Sequence, residues 1–600
     1  MKKTLVLIAA IALALQGLAQ NCYWVFLVDK EGTTFDPYAY FDAKAIERYR
    51  LNDADLYDIS NYPLRQSYVD RVTALAQEEV GTSRWLNAVA VMATPEQMAQ
   101  IEKLECVKGS SLIASQMEMA HCRQTARMEK QAARANDVLD GMPKMSDQLL
   151  RMQGSLFRSK GIDGKGVRVA VFDGGFPAVN THQAFKHLRD NNQIVATWNF
   201  CNKKENVYGW STHGTMVLSC IAGILNGHQL GLATGATFLL ARTEVEPEPY
   251  KEEVWWQQAM EWADKNGADV INSSLGYGKD RHFTYEMDGR STVAHAANMA
   301  ARKGILVCNS AGNEGNDKTW KTIITPADAD SVLTVGGINA DLYSYGHIYF
   351  SSYGPTADGR LKPNVCNFGQ ASVADPKGND KMSEVFGTSF SSPLTAGFVA
   401  CAKQAKPGLT AMQLKAEVER SGDLYPYFDY AFGYGVPQAS YFLTGKEMPE
   451  GATFVLEDSG EYLYVRPTGV RAKRTPFNNE ANEAAAKKSE DHVFMKLTDS
   501  NGIIQKYVSL ALSRFDDNHV VSISKHGLAG MKLTVFFDGY AKDYRLPDDY
   551  AATLLASGTE EEFYYAVQDS MGRMSYAFVE RINRSLSDNK TRPLGDKYFI

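Results

Sequence analysis

Between residues 167 and 419 the chain alternates short, continuously apolar runs with amphipathic stretches of helical period. The runs Val167–Phe172, Ile194–Phe200, Thr237–Arg242, Ala268–Ser273, Ile305–Cys308 and Val332–Val335 predict strands. Between them, His213–Ile224, Lys251–Lys265, Thr292–Lys303, Ser389–Gln404 and Ala411–Glu419 predict helices. Apolar strands alternating with helices predict an α/β fold, a doubly wound parallel sheet covered on both faces. Such sheets carry their functional groups at the carboxyl ends of the strands. Asp173 follows one of these runs directly, and Asn313 lies just past another.

The pattern changes on both sides. Before residue 116, Tyr23–Val28 and Trp85–Val91 read as strands, with helices at Ala43–Tyr49, Tyr68–Glu79 and Thr94–Leu104, a small α/β unit. Residues 116–147 are polar, with Arg123, Arg127, Lys130 and Arg134 among Ala, Gln and Glu. They read as a solvated helix or as a linker open to proteolysis. After Gly445, strands are predicted at Phe454–Leu456, Tyr462–Val465, Val493–Leu497, Ile503–Leu510, Val520–Ser524, Leu533–Phe537, Phe563–Val567 and Ser575–Val579. Turns at Asp499–Gly502 and Asp569–Gly572 make this an all-β, sandwich-like module, and 472–491 a polar loop within or beside it. The expected units are a leader (1–19), the α/β unit (20–115), the linker (116–147), the central domain (148–446) and the β module (447–600).

At the N-terminus, Lys2 and Lys3 precede the apolar run Leu5–Leu15 and the small-residue exit Gly17-Leu18-Ala19. Charge, short apolar core and small exit describe a secretory signal peptide and predict export, to the periplasm or the exterior. Gln20 and Asn21 before Cys22 are not the small residues of a lipid-anchor site. No other apolar run is long enough to cross a bilayer.

Composition adds exclusions. A net charge of −7 with scattered basic residues gives no reason to expect nucleic acid as a partner. The 8 cysteines show neither a dense disulfide framework nor a Cys-x-x-Cys metal pair. Cys220, Cys308 and Cys401 lie in apolar stretches, as buried free thiols do.

The candidate chemistry lies in four local signals in one order: Asp173-Gly174-Gly175, Thr212-His213-Gly214-Thr215, Ala311-Gly312-Asn313-Glu314-Gly315 and Gly387-Thr388-Ser389. Each has a plain alternative: a turn-forming Asp, a helix-starting His, a left-handed Asn, an N-capping Ser. Pro393 is expected in the first turn of a helix starting near Ser391, where its missing N–H costs nothing. Together the four supply acyl transfer through a serine. Ser389 would be the nucleophile, His213 its base near neutral pH, and Asp173 the carboxylate that orients the imidazole. The Asn313 amide and the Ser389 backbone N–H would hold the oxyanion.

The order Asp, His, Asn, Ser in these contexts, ending in Gly-Thr-Ser-Phe-Ser-Ser-Pro, resembles the subtilisin-like serine peptidases (subtilases) over about Gly161 to Gln404. The resemblance implies a secreted serine endopeptidase, made as a zymogen, that acts on protein or peptide substrates. It implies that Ser274, Leu275 and Gly276 pair with an extended substrate, while Ala311 and Gly312 line the pocket before the cut. It makes the α/β unit a propeptide, the chain's own intramolecular inhibitor. No cofactor is expected for catalysis. Structural calcium is possible on family grounds, but Asn226-Gly227-His228-Gln229, at the loop often involved, carries no carboxylate, and no metal ligand is predicted. Thr243–Glu248 is an acidic stretch that either borders the cleft, favouring basic side chains, or is a solvated loop. Alternatives are an esterase using the same residues and a silent binding protein on the same scaffold.

Overall fold

The apolar runs of the central region lie side by side in one parallel sheet. The computed structural model describes residues 21–114, 144–245, 250–279, 281–342, 345–445, 449, 451–458, 462–468, 492–511, 521–525 and 528–546. In it a 7-stranded sheet runs Val365–Phe368, Leu333–Ile338, Leu306–Ser310, Val270–Ser273, Arg168–Asp173, Thr237–Arg242, Ile194–Asn199, each neighbouring pair parallel. The strand at Val365–Phe368 is not in the predicted set. Its run is only 4 residues and carries Asn367, whose buried amide donates to Thr395 Oγ1 at 3.2 Å.

From Arg168–Asp173 the chain goes out to the edge strand Ile194–Asn199, returns through Thr237–Arg242, then crosses to Val270–Ser273. That reversal puts the sheet's switch point at Asp173, where open α/β sheets hold their ligands. Alternation sorts the core. Val169 and Val171 face the helices His213–Ala222 and Thr388–Ala405, while Ala170 and Phe172 face Lys251–Lys265 and Thr292–Arg302. Gly397 lets the first two helices approach closely, since a Cβ there would stand 3.0 Å from Ile221 O.

The N-terminal unit is a 4-stranded antiparallel sheet in the order Glu78–Ser83, Ala88–Ala93, Asn21–Leu27, Val107–Ala114. Two predictions need correction. The helix expected to reach Glu79 ends at Thr73, because Glu78 onward pairs with Ala88–Ala93. The strand expected from Trp85 starts at Ala88, because Arg84–Asn87 is a turn closed by Asn87 N–H to Arg84 O at 3.2 Å. The unit packs on the helix Lys251–Lys265, with Trp85 sharing an apolar cluster with Trp255, Trp256 and Met260.

C-terminally, a 3-stranded and a 4-stranded antiparallel sheet share a core of Phe454, Leu463, Val465, Ile523, Val493, Met495, Leu533 and Val535. Phe494 and Phe536 point the other way, onto Tyr427 of the central domain. The Asp499 turn forms, with Gly502 N–H donating to Asp499 O at 3.1 Å. The predicted strands at 563–567 and 575–579, the turn at 569–572, the loop 472–491, the leader, and residues 116–143 of the linker lie outside the described residues. Cys22, Cys106, Cys201, Cys220, Cys308, Cys366 and Cys401 are free thiols, all buried except the half-buried Cys201.

The short hairpin Ile224–Gln229 is extended by Lys144–Met145, which pairs in parallel with His228–Gln229. Its amides act as donors: Asn226 Nδ2 to Asp380 O at 2.5 Å, Gln229 Nε2 to Gly231 O at 3.0 Å. Gln148 Nε2 donates to Leu230 O at 2.8 Å, and its Oε1 accepts from Ser372 N–H at 2.8 Å. Among the described residues no three His, Cys, Asp or Glu side chains gather in a group that could hold a metal ion.

Candidate active site

Asp173 ends its strand fully buried, and His213 opens the helix that packs against the same strand end. The carboxylate holds the imidazole by both oxygens, Nδ1 lying 2.9 Å from Oδ2 and 3.0 Å from Oδ1. Gly174 N–H also donates to Oδ1 at 2.8 Å, which fixes the carboxylate's plane. With Nδ1–H donating to Asp173, Nε2 carries the lone pair. The approach requires glycine after the histidine: a Cβ at Gly214 would overlap Gly175 O and stand 2.8 Å from Asp173 Cβ. Burial alone lowers the His213 pKa, but the Asp173 charge and hydrogen bond outweigh it, so the ring titrates above its ordinary value.

The helix carrying Ser389 starts at Thr388, one residue before the predicted Ser389–Gln404 and three before the start near Ser391 on which the placing of Pro393 rests, and runs 18 residues. Pro393 is therefore inside the helix, not in its first turn as expected. It removes the N–H that would bond Ser389 O four residues back, and its ring pushes that carbonyl outward. Ser274 Oγ donates to Ser389 O instead, at 2.8 Å. Behind it, Asn272 Nδ2 donates to Ser274 Oγ at 3.0 Å, and Ser392 Oγ donates to Asn272 Oδ1 at 2.9 Å. This chain ties the helix start to the carboxyl end of Val270–Ser273. Asn272 and Ser392, which stand inside the quoted motifs without an assigned role, hold this geometry from behind. Asn272 left a signal in the sequence: a polar residue inside an apolar strand run must find partners when buried.

Three serines open the helix, and only Ser389 is accessible. Ser391 and Ser392 are fully buried, Ser391 donating to Phe368 O at 3.0 Å. Ser389 is half-buried, and its Oγ donates to Ser274 O at 3.2 Å rather than to His213. The imidazole lies alongside, its ring centre 5.4 Å from that of the neighbouring Phe390. The Ser389 backbone N–H belongs to the first turn, where the helix supplies no acceptor.

Asn313 is exposed, and its amide orientation is set from behind. Oδ1 accepts from Thr388 N–H at 2.9 Å and lies 2.9 Å from Thr388 Oγ1, whose single proton is shared with Gly312 O at 3.0 Å. Nδ2 is thereby turned toward Gly387, where a Cβ would lie 3.7 Å from it. Gly387 has φ +147°, a conformation open to glycine.

Ser274, Leu275 and Gly276 continue past the end of their strand, with Leu275 O accepting from Asn309 Nδ2 at 2.9 Å. Opposite, Ala311 O accepts from Ile324 N–H at 3.2 Å. Ile324 stands between the two segments: it fills the space where a Gly276 Cβ would be and lies 3.2 Å from a Cβ placed on Gly312. Glu314, also unread in the motif, sets a carboxylate against Gly312 and accepts from Ser352 Oγ at 2.8 Å, its pKa raised by burial. Glu244 borders Gly174, its Cβ 3.8 Å from where a Gly174 Cβ would stand. Residues 246–249 lie outside the described residues.

Residues 164–435 match the model of the subtilase family. The chain is a subtilase. Residues 22–133 match a peptidase S8 propeptide domain of Bacteroidota, so this serine endopeptidase carries its propeptide domain at the N-terminus. Subtilisin NAT of Bacillus subtilis subsp. natto is 28% identical over 287 residues, 48% of this chain and 67% of that protein. The subtilisin of Bacillus pumilus is 27% identical over 287 residues, 48% of this chain and 93% of its own. Serine protease AprX of Bacillus subtilis (strain 168) is 26% identical over 312 residues, 48% of this chain and 68% of its own. In this subtilase, Thr388→Val removes one of two groups that aim the Asn313 amide. Steady-state peptide hydrolysis is expected to show kcat down about tenfold with KM within twofold, the scale of one hydrogen bond.

Proposed function

We propose that this subtilase cuts peptide bonds through an acyl-enzyme on Ser389, with His213 as general base and acid, Asp173 orienting it, and Asn313 Nδ2 with Ser389 N–H binding the oxyanion. The observation that carries the reading is the two-oxygen grip of Asp173 on His213 Nδ1 beside the one accessible serine of the helix start. The Ser389–Ser274 bond fits a resting enzyme, since catalytic hydrogen bonds often align only with substrate bound. An extended peptide pairing along Ser274–Gly276 brings an N–H to Ser274 O, the acceptor that Ser389 Oγ now uses. Losing that acceptor, the hydroxyl turns to His213 Nε2. Attack forms the Oγ–C bond and places the proton on Nε2, which returns it to the leaving amine. Water, deprotonated by the same nitrogen, then releases the acid and restores Ser389.

Ala311, Gly312 and Ile324 would border the side chain before the cut. The N-terminal pattern supports export, and no helix among the described residues is long and apolar enough to cross a membrane. The propeptide would hold the enzyme latent until the linker is cut.

A fluorophosphonate probe is expected to label the wild type and not Ser389→Ala. A probe that labels neither leaves a binding protein, and labelling with ester but no peptide turnover leaves an esterase. Asn313→Ala is expected to raise the barrier by about 3–4 kcal/mol, read as kcat on a peptide substrate.

The neutral imidazole is the base, so kcat/KM is full above the raised His213 pKa and falls as pH drops through it. Asp173→Asn removes the groups that raise it. Its acid limb is expected at lower pH, with turnover reduced by about four orders of magnitude.

We also propose that the 224–229 hairpin is held by protein amides rather than calcium. A chelator is then expected to leave the melting temperature and activity unchanged, and a shift of several degrees would overturn this.

A further inference from the structure

The propeptide grips the catalytic domain in two places. One is the helix Lys251–Lys265 beneath its sheet, where Glu261 accepts from Ser83 Oγ, from Arg84 N–H at 2.9 Å and from Trp85 N–H at 3.3 Å. The other lies at the opposite end of the parallel sheet from the catalytic residues. The segment 36–62, inserted between the strand Asn21–Leu27 and the helix Gln66–Thr73, reaches the amino ends of the sheet strands. Asp42 N–H donates to Lys265 O at 2.9 Å, and Asp42 pairs with Arg168 at 3.2 Å. Lys44 pairs with Asp269 at 2.9 Å and donates to Gly166 O at 2.7 Å. Arg168, Asp269 and Gly166 stand at or just before the strand starts, roughly 17 Å from Asp173 at the rise of a strand.

The centre of this contact is a buried charge cluster made from both parts of the chain. Arg48, only 3% exposed, bonds to Asp264, to Ala268 O at 2.6 Å and to Lys303 O at 3.0 Å. Tyr49 OH donates to the second Asp264 oxygen at 3.0 Å. Lys303, 4% exposed, donates to Ser60 Oγ at 2.8 Å and Asn61 Oδ1 at 2.6 Å. Asn52 accepts from Ala411 N–H at 2.8 Å, at the start of the helix Ala411–Arg420. The segment itself is held to the propeptide sheet by Lys30, whose ammonium reaches Ile59 O, Tyr62 O and Arg84 O at 2.7–2.8 Å.

We propose that the amino edge of the sheet, centred on Asp264 and Lys303, is a second docking surface for the propeptide segment 36–62. Its residence on the enzyme is set there, independently of the cleft. Release leaves Asp264 and Lys303 without the groups that now neutralise and hydrogen-bond them, so a cut in the linker alone does not free the fragment. The consequence for latency rests on the inhibitory role proposed above; the docking itself does not.

The test uses full-length Ser389→Ala protein, nicked with trypsin at the basic residues of 116–134 and followed by size exclusion after dilution. Processing by the chain itself then plays no part, so a failed catalytic reading and a failed docking surface give different results. The N-terminal fragment is expected to co-elute for hours. Arg48→Met and Asp264→Asn are expected to speed its release on the order of a hundredfold, the scale of breaking a buried charge pair. Glu78→Gln, which breaks the more exposed pair with Lys251, is expected to change release less than threefold. Should the core variants not fold, Lys44→Ala with Asn52→Ala strips the rim of the same contact and should still speed release severalfold. A wild-type fragment that leaves at once after nicking, or folded variants that release at the wild-type rate, would overturn the proposal.

Discussion

The cleft depends on a helix start that its own backbone ladder does not complete. Pro393 withdraws the N–H due to Ser389 O, and the gap is closed from another element, by the Ser274 hydroxyl. A single missing hydrogen bond therefore couples the helix Thr388–Ala405 to the strand end along which a substrate would pair. The same first turn leaves the Ser389 N–H without a partner inside the helix and uses Thr388 to aim the Asn313 amide. The proposed nucleophile, oxyanion donors and substrate strand thus share one contact region rather than separate loops.

The two ends of the parallel sheet carry charge differently. At the carboxyl end the buried Asp173 faces a single imidazole whose other nitrogen stays available for proton transfer. At the amino end Asp264 is saturated by Arg48 and Tyr49, and Lys303 by Ser60 and Asn61. Breaking one partner out of such a buried pair costs about 3–5 kcal/mol, whereas an exposed pair such as Lys251–Glu78 is worth about 1 kcal/mol or less. Site and anchor are thus kept apart by the length of the strands. Contact at one end need not disturb geometry at the other.

Much of this was legible beforehand where local rules suffice. The strand at Thr237–Arg242 and the helix at Lys251–Lys265 fall where their apolar periodicity puts them. Misreadings occurred where a partner distant in sequence decides the outcome. Glu78 and Glu79 suit a helix by propensity and become strand because Met92 and Val91 lie opposite. Val365–Phe368 is broken by the polar Asn367 and exists as a strand because Leu333–Ile338 offers an edge. Pro393 lies inside the helix rather than in its first turn because the helix begins at Thr388, whose partners Gly312 and Asn313 are distant in sequence.

What the sequence determined alone is the inventory and its order: an acid after a strand, a histidine opening a helix, an amide between glycines and a serine before a small-residue helix. These are chemical types at local positions, set by covalent order and by the backbone freedom of their glycines. What only the tertiary structure decided is which of them meet and which way they face. Asp173 holds His213 from 40 residues away, Thr388 turns Asn313 from 75 and Ser274 takes Ser389 O from 115. Hydrogen bonds work over about 3 Å, so their partners are settled by packing, on which sequence distance has no bearing.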